Sequence, residues 1–442
     1  MQNRETYLDT VCSEIKFRAA RKVLRQELED HIEDRKAELE KNDLPDTEAA
    51  AIEAMGDAKE IGKALNAIHR PRTEWGIPLC VLLLSLAGLY INQVSGFAYN
   101  SLSGTGYFDF SFLPGDLMVG MDIYRAILLA AVGLSVLAVA YFSDYSWLLH
   151  LRHALFFAAL LYITIRLYLI KQNNIDIYGF FGQTAPINIT TMLFILSIPG
   201  FIKQNIEKGM KGMVHIVLAG AISIAALYFL SSVYASVLGA AYIVIFGLSL
   251  FYNQQPATYK WRRIAIVSSV MSIVFVVCVL LIQPDRFAFG TSFNGPDYKG
   301  WVIREVLSDS KFIGAAMIRT YNTTGYILTT VISTYGWLVG ISFVLAFALL
   351  LTLMLLRSRK IAHTFGRLLS FSISAYFCAR FMLFLLANFG VIGGTSVNLP
   401  FVSYGWFSLT TDLFLVGIFM SVWRRSSFMT KEMHALKKSP AL

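Results

Sequence analysis

Charged residues and cysteines are both scarce in this sequence. Asp, Glu, Lys and Arg make up only 15% of the 442 residues, whereas 56% are hydrophobic, and the mean hydropathy is +0.56. A soluble domain carries about 25% charged residues, so the composition excludes a wholly soluble protein and predicts that most of the chain faces lipid. The four cysteines are too widely scattered to indicate a disulfide framework or a metal site: Cys12, Cys80, Cys278 and Cys378.

The start of the chain also lacks the apolar stretch of a cleavable signal peptide, because residues 1–73 are mainly polar. We therefore expect the first apolar span to act as the targeting signal. The net charge of +9 does not indicate a nucleic-acid partner, since the basic residues cluster beside apolar runs.

Apolar runs long enough to cross a bilayer need about 20 residues each. About ten such runs are present, centred near residues 84, 132, 160, 194, 220, 241, 273, 346, 379 and 415. Basic residues lie in alternate loops, and the first predicted outer loop, about 93–121, has no Lys or Arg. This pattern predicts an even number of spans with both termini cytoplasmic. The expected fold is an all-α, polytopic membrane protein.

Residues 1–72 are predicted to form a small cytoplasmic helical domain in front of the spans. Apolar residues recur there at helical spacing, with one short helix expected to end at Met55 and the next to run to Ile68. The tripeptides at 55–57 and 69–71, together with His31-Ile32-Glu33-Asp34, resemble the permease-prefix (HAAS) domain of bacterial membrane proteins. The resemblance implies docking of a cytoplasmic partner, and the alternative is a helical cap without a partner.

The most specific stretch is residues 388–425, where an apolar helix runs through a Gly-rich segment into a Pro-Gly turn and a last apolar run. Pro400 cannot continue a helix and Gly405 permits positive φ, so both are predicted to shape this turn. The stretch resembles the signature of the SEDS family, the FtsW/RodA/SpoVE cell-wall glycosyltransferases. The positions kept are Leu399, Pro400, Phe401, Ser403, Tyr404, Gly405, Ser408, Leu409, Gly417 and Ser421.

The resemblance implies a SEDS-like transmembrane domain over residues 73–425, followed by a cytoplasmic tail at 426–442. A large extracytoplasmic loop is expected at 283–323. Family members carry a catalytic Asp entering the eighth span, and that position is Gly325 here. The two acidic residues that follow it in the family become Ser333 and Thr334, and the acid entering the fourth span becomes Asn188. Glycosyl transfer to a hydroxyl normally needs a base, and Gly325 cannot supply one.

The large loop contains other residues that could act as the base or bind the substrate. Asp297 and Glu305 are the fallback candidates for a catalytic base, although the catalytic residue stays unknown and solvated loop acids are the alternative. Arg304 and Lys311 could bind a pyrophosphate or lipid headgroups, and the resemblance adds Ser403 and Tyr404 as substrate-binding candidates. An amphipathic run from Trp301 to Gly314 is expected to take the place of a half-buried family helix.

Two charges lie inside predicted spans, where an unpaired charge is costly. Arg380 is in the ninth span and Asp412 about two turns inside the tenth, so the two could meet on adjacent antiparallel helices. We predict an Arg380–Asp412 ion pair whose role is structural or, alternatively, part of a functional cavity.

Taken with the resemblance, these features predict a multi-pass protein of the bacterial plasma membrane in cell-wall synthesis, division or shape. It would bind lipid-linked precursor such as lipid II and a single-span transpeptidase (penicillin-binding protein), with or without polymerising glycan. The alternatives are a catalytically degenerate scaffold or regulator and a transporter of the precursor. The sequence identifies no cofactor and no metal ligand set, and it gives no support for a divalent cation.

Overall fold

The computed structural model describes most of the chain. The described residues are 3–16, 18–40, 47–68, 75–103, 118–171, 185–206, 208–252, 298–314, 325–361, 363–392, 397–402 and 406–438. All regular secondary structure in these ranges is helical, which confirms the all-α prediction.

Sixteen helices are present in the described ranges, and we number them in chain order. The first four are α1 (Arg4–Glu14), α2 (Arg18–Glu40), α3 (Thr47–Met55) and α4 (Ala58–Ile68). The next seven are α5 (Gly76–Ser103), α6 (Met118–Phe142), α7 (Trp147–His150), α8 (Arg152–Lys171), α9 (Ala185–Asn205), α10 (Gly209–Tyr228) and α11 (Ser232–Tyr252). The last five are α12 (Tyr298–Ser308), α13 (Ile327–Tyr335), α14 (Trp337–Arg359), α15 (Thr364–Asn388) and α16 (Trp406–Lys438).

The chain forms two compact units, Met1–Glu74 with Trp423–Leu442, and Trp75–Val422. In the first unit, α1 packs on α4 and α2 packs on α3. The buried side chains there recur at helical spacing, as in Tyr7 and Val11 of α1. Asp57 begins α4, because its Oδ1 accepts hydrogen bonds from the backbone N–H groups of Lys59 (2.6 Å) and Glu60 (3.4 Å). The two short helices predicted to Met55 and Ile68 are therefore confirmed, and the likeness to a permease-prefix domain stays a prediction.

Four helical stretches among the described residues are long and apolar enough to cross a membrane. They are Ile187–Asn205, Lys211–Tyr228, Trp337–Arg359 and Thr364–Asn388. Shorter apolar helices occupy Gly76–Ile91, Ala130–Phe142 and Val233–Ser249. The predicted centres at 194, 220, 346 and 379 lie in the four long stretches, and those at 84, 132 and 241 in the shorter ones. The centres at 160 and 415 fall in α8 and α16, and the one at 273 lies outside the described residues.

Helix α15 is central to the second unit, since it packs against α9, α11 and α14. Its contacts with α14 join Phe381 to Phe347 (ring centroids 4.6 Å apart) and Phe389 to Trp337 (6.4 Å), so the two helices are antiparallel. The Ser372 hydroxyl donates a hydrogen bond of 3.1 Å to the Ile195 carbonyl of α9. A helix with neighbours on three sides is mostly buried, and its buried polar residues must find partners inside the protein.

The predicted amphipathic helix of the large loop is placed differently from the expectation. The sequence predicted a run from Trp301 to Gly314, but α12 begins at Tyr298 and ends at Ser308. The physical reason lies in residues 311–314, which leave the helix to hydrogen-bond with the ends of α13 and α14. The backbone carbonyl of Lys311 accepts from the N–H of Trp337 at 3.1 Å, and the N–H of Gly314 donates to the carbonyl of Tyr335 at 3.3 Å.

Candidate functional site

The Pro400 turn of the signature stretch is buried against aromatic rings. Phe401 has φ 66°, a left-handed conformation that is unusual for a non-glycine residue. Its ring lies 5.2 Å from the Phe377 ring and 6.2 Å from the Phe347 ring, centroid to centroid. These contacts hold the backbone in a strained turn. Ser403, Tyr404 and Gly405 lie outside the described residues, so their predicted roles stay predictions.

The predicted ion pair between α15 and α16 is confirmed. Arg380 Nη1 lies 2.7 Å from Asp412 Oδ1, and the two side chains are 0% and 1% exposed. A charge-assisted hydrogen bond of this length between fully buried groups is stronger than a neutral one. Asp412 is thus neutralised by its neighbour and fixed in place, which suits a structural role better than that of a free base.

Arg380 makes three further hydrogen bonds. Its Nη1 donates to Tyr376 Oη (3.0 Å), its Nη2 to Ser408 Oγ (2.9 Å) and its Nε to the carbonyl of Asn398 (2.9 Å). The Tyr234 ring of α11 lies 5.9 Å from the guanidinium carbon, close enough for a cation–π contact. Arg380 therefore joins α11, α15, α16 and the Pro400 turn through one side chain.

Sequence reasoning found the two charges but missed the residues around them. Tyr376 and Ser408 each stand four residues before one member of the pair, which is one helical turn. That i, i+4 spacing is the signal that could have found them. Tyr234 gave no comparable signal, because its contact with Arg380 depends on how α11 packs against α15.

A second polar cluster forms around Asn388, the last residue of α15. Its Oδ1 accepts hydrogen bonds from the N–H groups of Leu328 and Thr329, each at 3.1 Å. Its Nδ2 donates to the carbonyls of Gly325 (3.2 Å) and Phe384 (3.0 Å). Asn388 thus satisfies the otherwise unpaired N–H groups at the start of α13, and it lies directly against the position where the SEDS resemblance expects the catalytic Asp.

No carboxylate side chain follows Gly325 on α13, α14 or α15. The sequence has no Asp or Glu between Asp309 and Asp412. Ser333 and Asn188 stand at two of the positions where the SEDS resemblance expects an acid, and they are buried on α13 and α9. The next acid along the chain after Asp309 is Asp412, and it is paired with Arg380.

Helix α12 lies beside the end of α15. Arg304 Nη1 donates a hydrogen bond to the carbonyl of Gly390, which lies two residues beyond Asn388. Gly390 has φ 67°, and a Cβ there would lie 2.5 Å from the carbonyl oxygen of Gly300. Only glycine fits this close approach without strain. Arg304 is therefore partly committed to holding α12 in place, which limits its predicted role as a substrate-binding cation.

The other loop candidates are not brought together. Glu305 is on α12, next to Arg304, and Lys311 is exposed beyond the end of that helix. Asp297 lies outside the described residues. Within the described ranges, no group of three or more His, Cys, Asp and Glu side chains could hold a metal ion.

The fold and site define a polytopic helical membrane protein with a buried ion pair beside a Pro-containing turn. The chain is similar in structure to the rod shape determining protein RodA of Thermus thermophilus, with a TM-score of 0.53 and 13% identity. The match covers 80% of this chain and 97% of RodA. A structure on the coordination of polymerization and crosslinking by a peptidoglycan synthase complex matches with a TM-score of 0.58 and 13% identity. It covers 80% of this chain and 98% of the matched one. The chain therefore has the RodA fold.

In sequence the likeness is local. A stretch of 69 residues is 32% identical to the probable peptidoglycan glycosyltransferase FtsW of Thioalkalivibrio sp. (strain K90mix). It covers 16% of this chain and 17% of that relative, so the chain matches less than a fifth of the relative's length. No model of a known protein family matches the chain.

Proposed function

We propose that this chain is a SEDS-type protein of bacterial cell-wall synthesis that binds lipid-linked peptidoglycan precursor without polymerising it. The observation that carries the proposal is the site at the start of α13. The chain has the RodA fold, but Gly325 stands where the SEDS resemblance expects an Asp, and its carbonyl accepts a hydrogen bond from the Asn388 amide. An amide hydrogen-bonded to a backbone carbonyl holds structure together and takes no proton from a sugar hydroxyl.

The RodA fold and the local likeness to FtsW support the cell-wall part of the proposal. The peptidoglycan synthase complex supports a penicillin-binding protein as partner. In this role the chain would present precursor to a partner enzyme or sense its level, and residues 1–72 would relay the state to a cytoplasmic partner.

The test is to measure precursor binding and polymerisation side by side. Purified protein in nanodiscs would receive fluorescent lipid II, and bound lipid and glycan polymer would be quantified, with Thermus thermophilus RodA as the active reference. We expect saturable binding and no polymer, alone or with a co-expressed transpeptidase. Absence of binding would overturn the proposal, and polymer would refute its non-polymerising part.

A second candidate is an active polymerase with a relocated base. The contact between Arg304 and Gly390 favours it, because it holds α12, and Glu305 with it, beside the vacated acid position. If the wild-type chain makes polymer, Glu305→Gln should abolish it, while Asp309→Asn at the end of the same helix should not. Asp297→Ala then tests the other loop acid.

A further inference from the structure

Two large apolar side chains stand exposed just beyond α12. In residues 311–314, which we call the 311–314 loop, Phe312 is 63% exposed and Ile313 is 68% exposed. A loop at an aqueous surface normally presents polar residues, and adjacent exposed apolar side chains mark an interaction surface. The position of this loop against α14 indicates what these two side chains contact.

The 311–314 loop is held firmly at the junction of α13 and α14. The carbonyls of Lys311 and Phe312 accept hydrogen bonds of 3.1 Å from the N–H groups of Trp337 and Leu338, which have no partner inside α14. Gly336, with φ 95°, lies between the two helices, and a Cβ there would be 2.7 Å from the Phe312 carbonyl oxygen. The loop is therefore packed directly on the first turn of α14, and its side chains cannot fold back over that contact.

The surface of α14 next to the loop is apolar and exposed. Leu338, Ile341, Leu345 and Leu349 follow one another at helical spacing, and all are exposed in a helix apolar enough to span a membrane. Such a stripe faces lipid acyl chains. Phe312 is hydrogen-bonded through its carbonyl to Leu338, so the loop extends this lipid-facing stripe by two side chains.

The length of α14 gives the depth of the loop. Arg357 follows Leu338 by 19 positions, which is a rise of about 28 Å at about 1.5 Å per residue. The hydrocarbon core is about 30 Å thick, and Arg357 and Arg359 belong at one of its polar boundaries because charges avoid the core. Leu338, and with it Phe312, then lies at the opposite boundary. At that depth the exposed Phe and Leu side chains of interfacial segments insert into the boundary between headgroups and acyl chains, and lysines reach the headgroups.

We propose that the 311–314 loop is a membrane-interface anchor. Phe312 and Ile313 insert among the lipid glycerol and upper acyl groups, and the Lys311 ammonium contacts the phosphate of phospholipid headgroups. The anchor holds the end of α12 at a fixed depth, independently of any substrate. Phospholipid is the occupant because the exposed pair continues the lipid-facing stripe of α14 and ends in a cation at headgroup level.

The experiment measures the depth of single positions in the full chain. The four cysteines would be replaced by serine or alanine, and single cysteines placed at 312, 313, 309 or 345 would carry a nitroxide spin label in phospholipid nanodiscs. Accessibility to molecular oxygen, which concentrates in lipid, would be compared with accessibility to a water-soluble nickel chelate. Position 345 is the lipid-facing reference and position 309 the aqueous control. Thermal unfolding and gel filtration would check that each variant folds, and exposed positions tolerate such labels.

We expect the oxygen-to-nickel ratio at 312 and 313 to be several-fold higher than at 309 but lower than at 345, because position 345 lies about two helical turns deeper in the bilayer. A second measurement uses Phe312→Trp with lipids brominated at graded depths, after subtraction of the parent protein's quenching, and we expect the strongest quenching by the shallowest bromine. Ratios at 312 and 313 equal to that at 309 would overturn the proposal and leave the pair free for a protein partner.

Discussion

The side-chain amide of Asn388 donates a hydrogen bond of 3.2 Å to the carbonyl of Gly325, which precedes it by 63 residues. The Oδ1 atom of the same side chain accepts hydrogen bonds from the N–H groups of Leu328 and Thr329. Asn388 thus ties the end of α15 to the beginning of α13 with both halves of its amide. In this arrangement Gly325 takes part through its backbone, so the position that the SEDS resemblance reserves for catalysis serves here to connect two helices.

Replacing Asn388 by Ala should destabilise the start of α13. Loss of a cap costs about 0.5–2 kcal/mol, and the buried donors left without a partner add about 1–3 kcal/mol. We expect a lower midpoint of thermal unfolding and faster amide hydrogen exchange over residues 327–335. Exchange in the distant helix α10 should not change. Equal protection of α13 in wild type and variant would contradict the capping role.

Asn388→Asp is the matched control for that change. The carboxylate keeps the acceptor for Leu328 and Thr329 but cannot donate to the carbonyls of Gly325 and Phe384. An ionised Asp there would also be a buried, unpaired charge, so exchange is compared at low pH, where the protonated Asp keeps the acceptor oxygen and can donate one hydrogen bond. Protection of the α13 amides should be largely kept under that condition, and a loss as large as in the Ala variant would contradict the acceptor role.

Breaking the Arg380–Asp412 pair should be costly, whereas replacing both members should be tolerated better. Arg380→Met leaves a bare buried carboxylate and should cost about 3–5 kcal/mol. The double variant Arg380→Met/Asp412→Leu removes both charges and should recover part of the lost thermal stability. Asp309→Asn, an exposed acid, serves as the control and should leave the unfolding midpoint unchanged. A double variant no more stable than Arg380→Met would argue against the ion pair as the source of the effect.

Adding a methyl group at Gly390 should loosen α12. A Cβ there meets the Gly300 carbonyl at 2.5 Å, and φ 67° is unfavourable for alanine by about 1–2 kcal/mol. We expect Gly390→Ala to lower the unfolding midpoint and to raise hydrogen exchange in 298–308. Gly247→Ala is the control, because that helical glycine has open space around its Cβ position. Alanine should be neutral or stabilising there.

His363 should make stability depend on pH. Burial, together with the nearby positive charges of Lys203 and Arg367, lowers the pKa of His363 to about 4. The unfolded histidine has a pKa of about 6.5, so between these values the unfolded chain binds the proton and the folded chain does not. The free energy of unfolding contributed by this group is present above about pH 6.5 and is lost as the pH falls through about 4.

The measurement for His363 is the unfolding midpoint as a function of pH. His363→Asn should flatten the pH dependence, because the Asn side chain does not titrate. Asn also keeps an acceptor for the Gly366 N–H that now donates to His363 Nδ1, so the helix cap is retained. His150→Asn, at an exposed histidine, is the control. A slope that is the same in wild type and His363→Asn would show that other groups cause the pH dependence.

Much of the fold could be predicted from the sequence because each prediction depended on a local pattern. Apolar runs placed the spans of α9, α10, α14 and α15. The Arg380–Asp412 pair also followed from a simple rule. An unpaired charge inside the membrane costs free energy, so two charges of opposite sign on neighbouring helices are expected to form an ion pair.

The features that the sequence could not predict depend on packing and on hydrogen bonds between segments that are distant in the chain. The end of α12 at Ser308 follows from the hydrogen bonds between 311–314 and the start of α14, and such bonds between distant segments leave no periodic signal. The role of Asn388 was missed for the same reason. The oxygen and the NH₂ group of its side-chain amide bind residues some 60 positions earlier in the chain. In the sequence, an Asn before a Gly-rich segment resembles an ordinary helix end.

The buried ion pair has a consequence for how the protein is made. Asp412 follows Arg380 by 32 residues. At about 5–20 residues per second, a ribosome delivers the carboxylate about 2–6 s after the guanidinium. During that interval α15 enters the bilayer with an uncompensated positive charge. Chains that stop before Asp412 would keep that charge permanently, so the last helix completes membrane insertion as well as the fold, and truncated chains should be targets for membrane proteases.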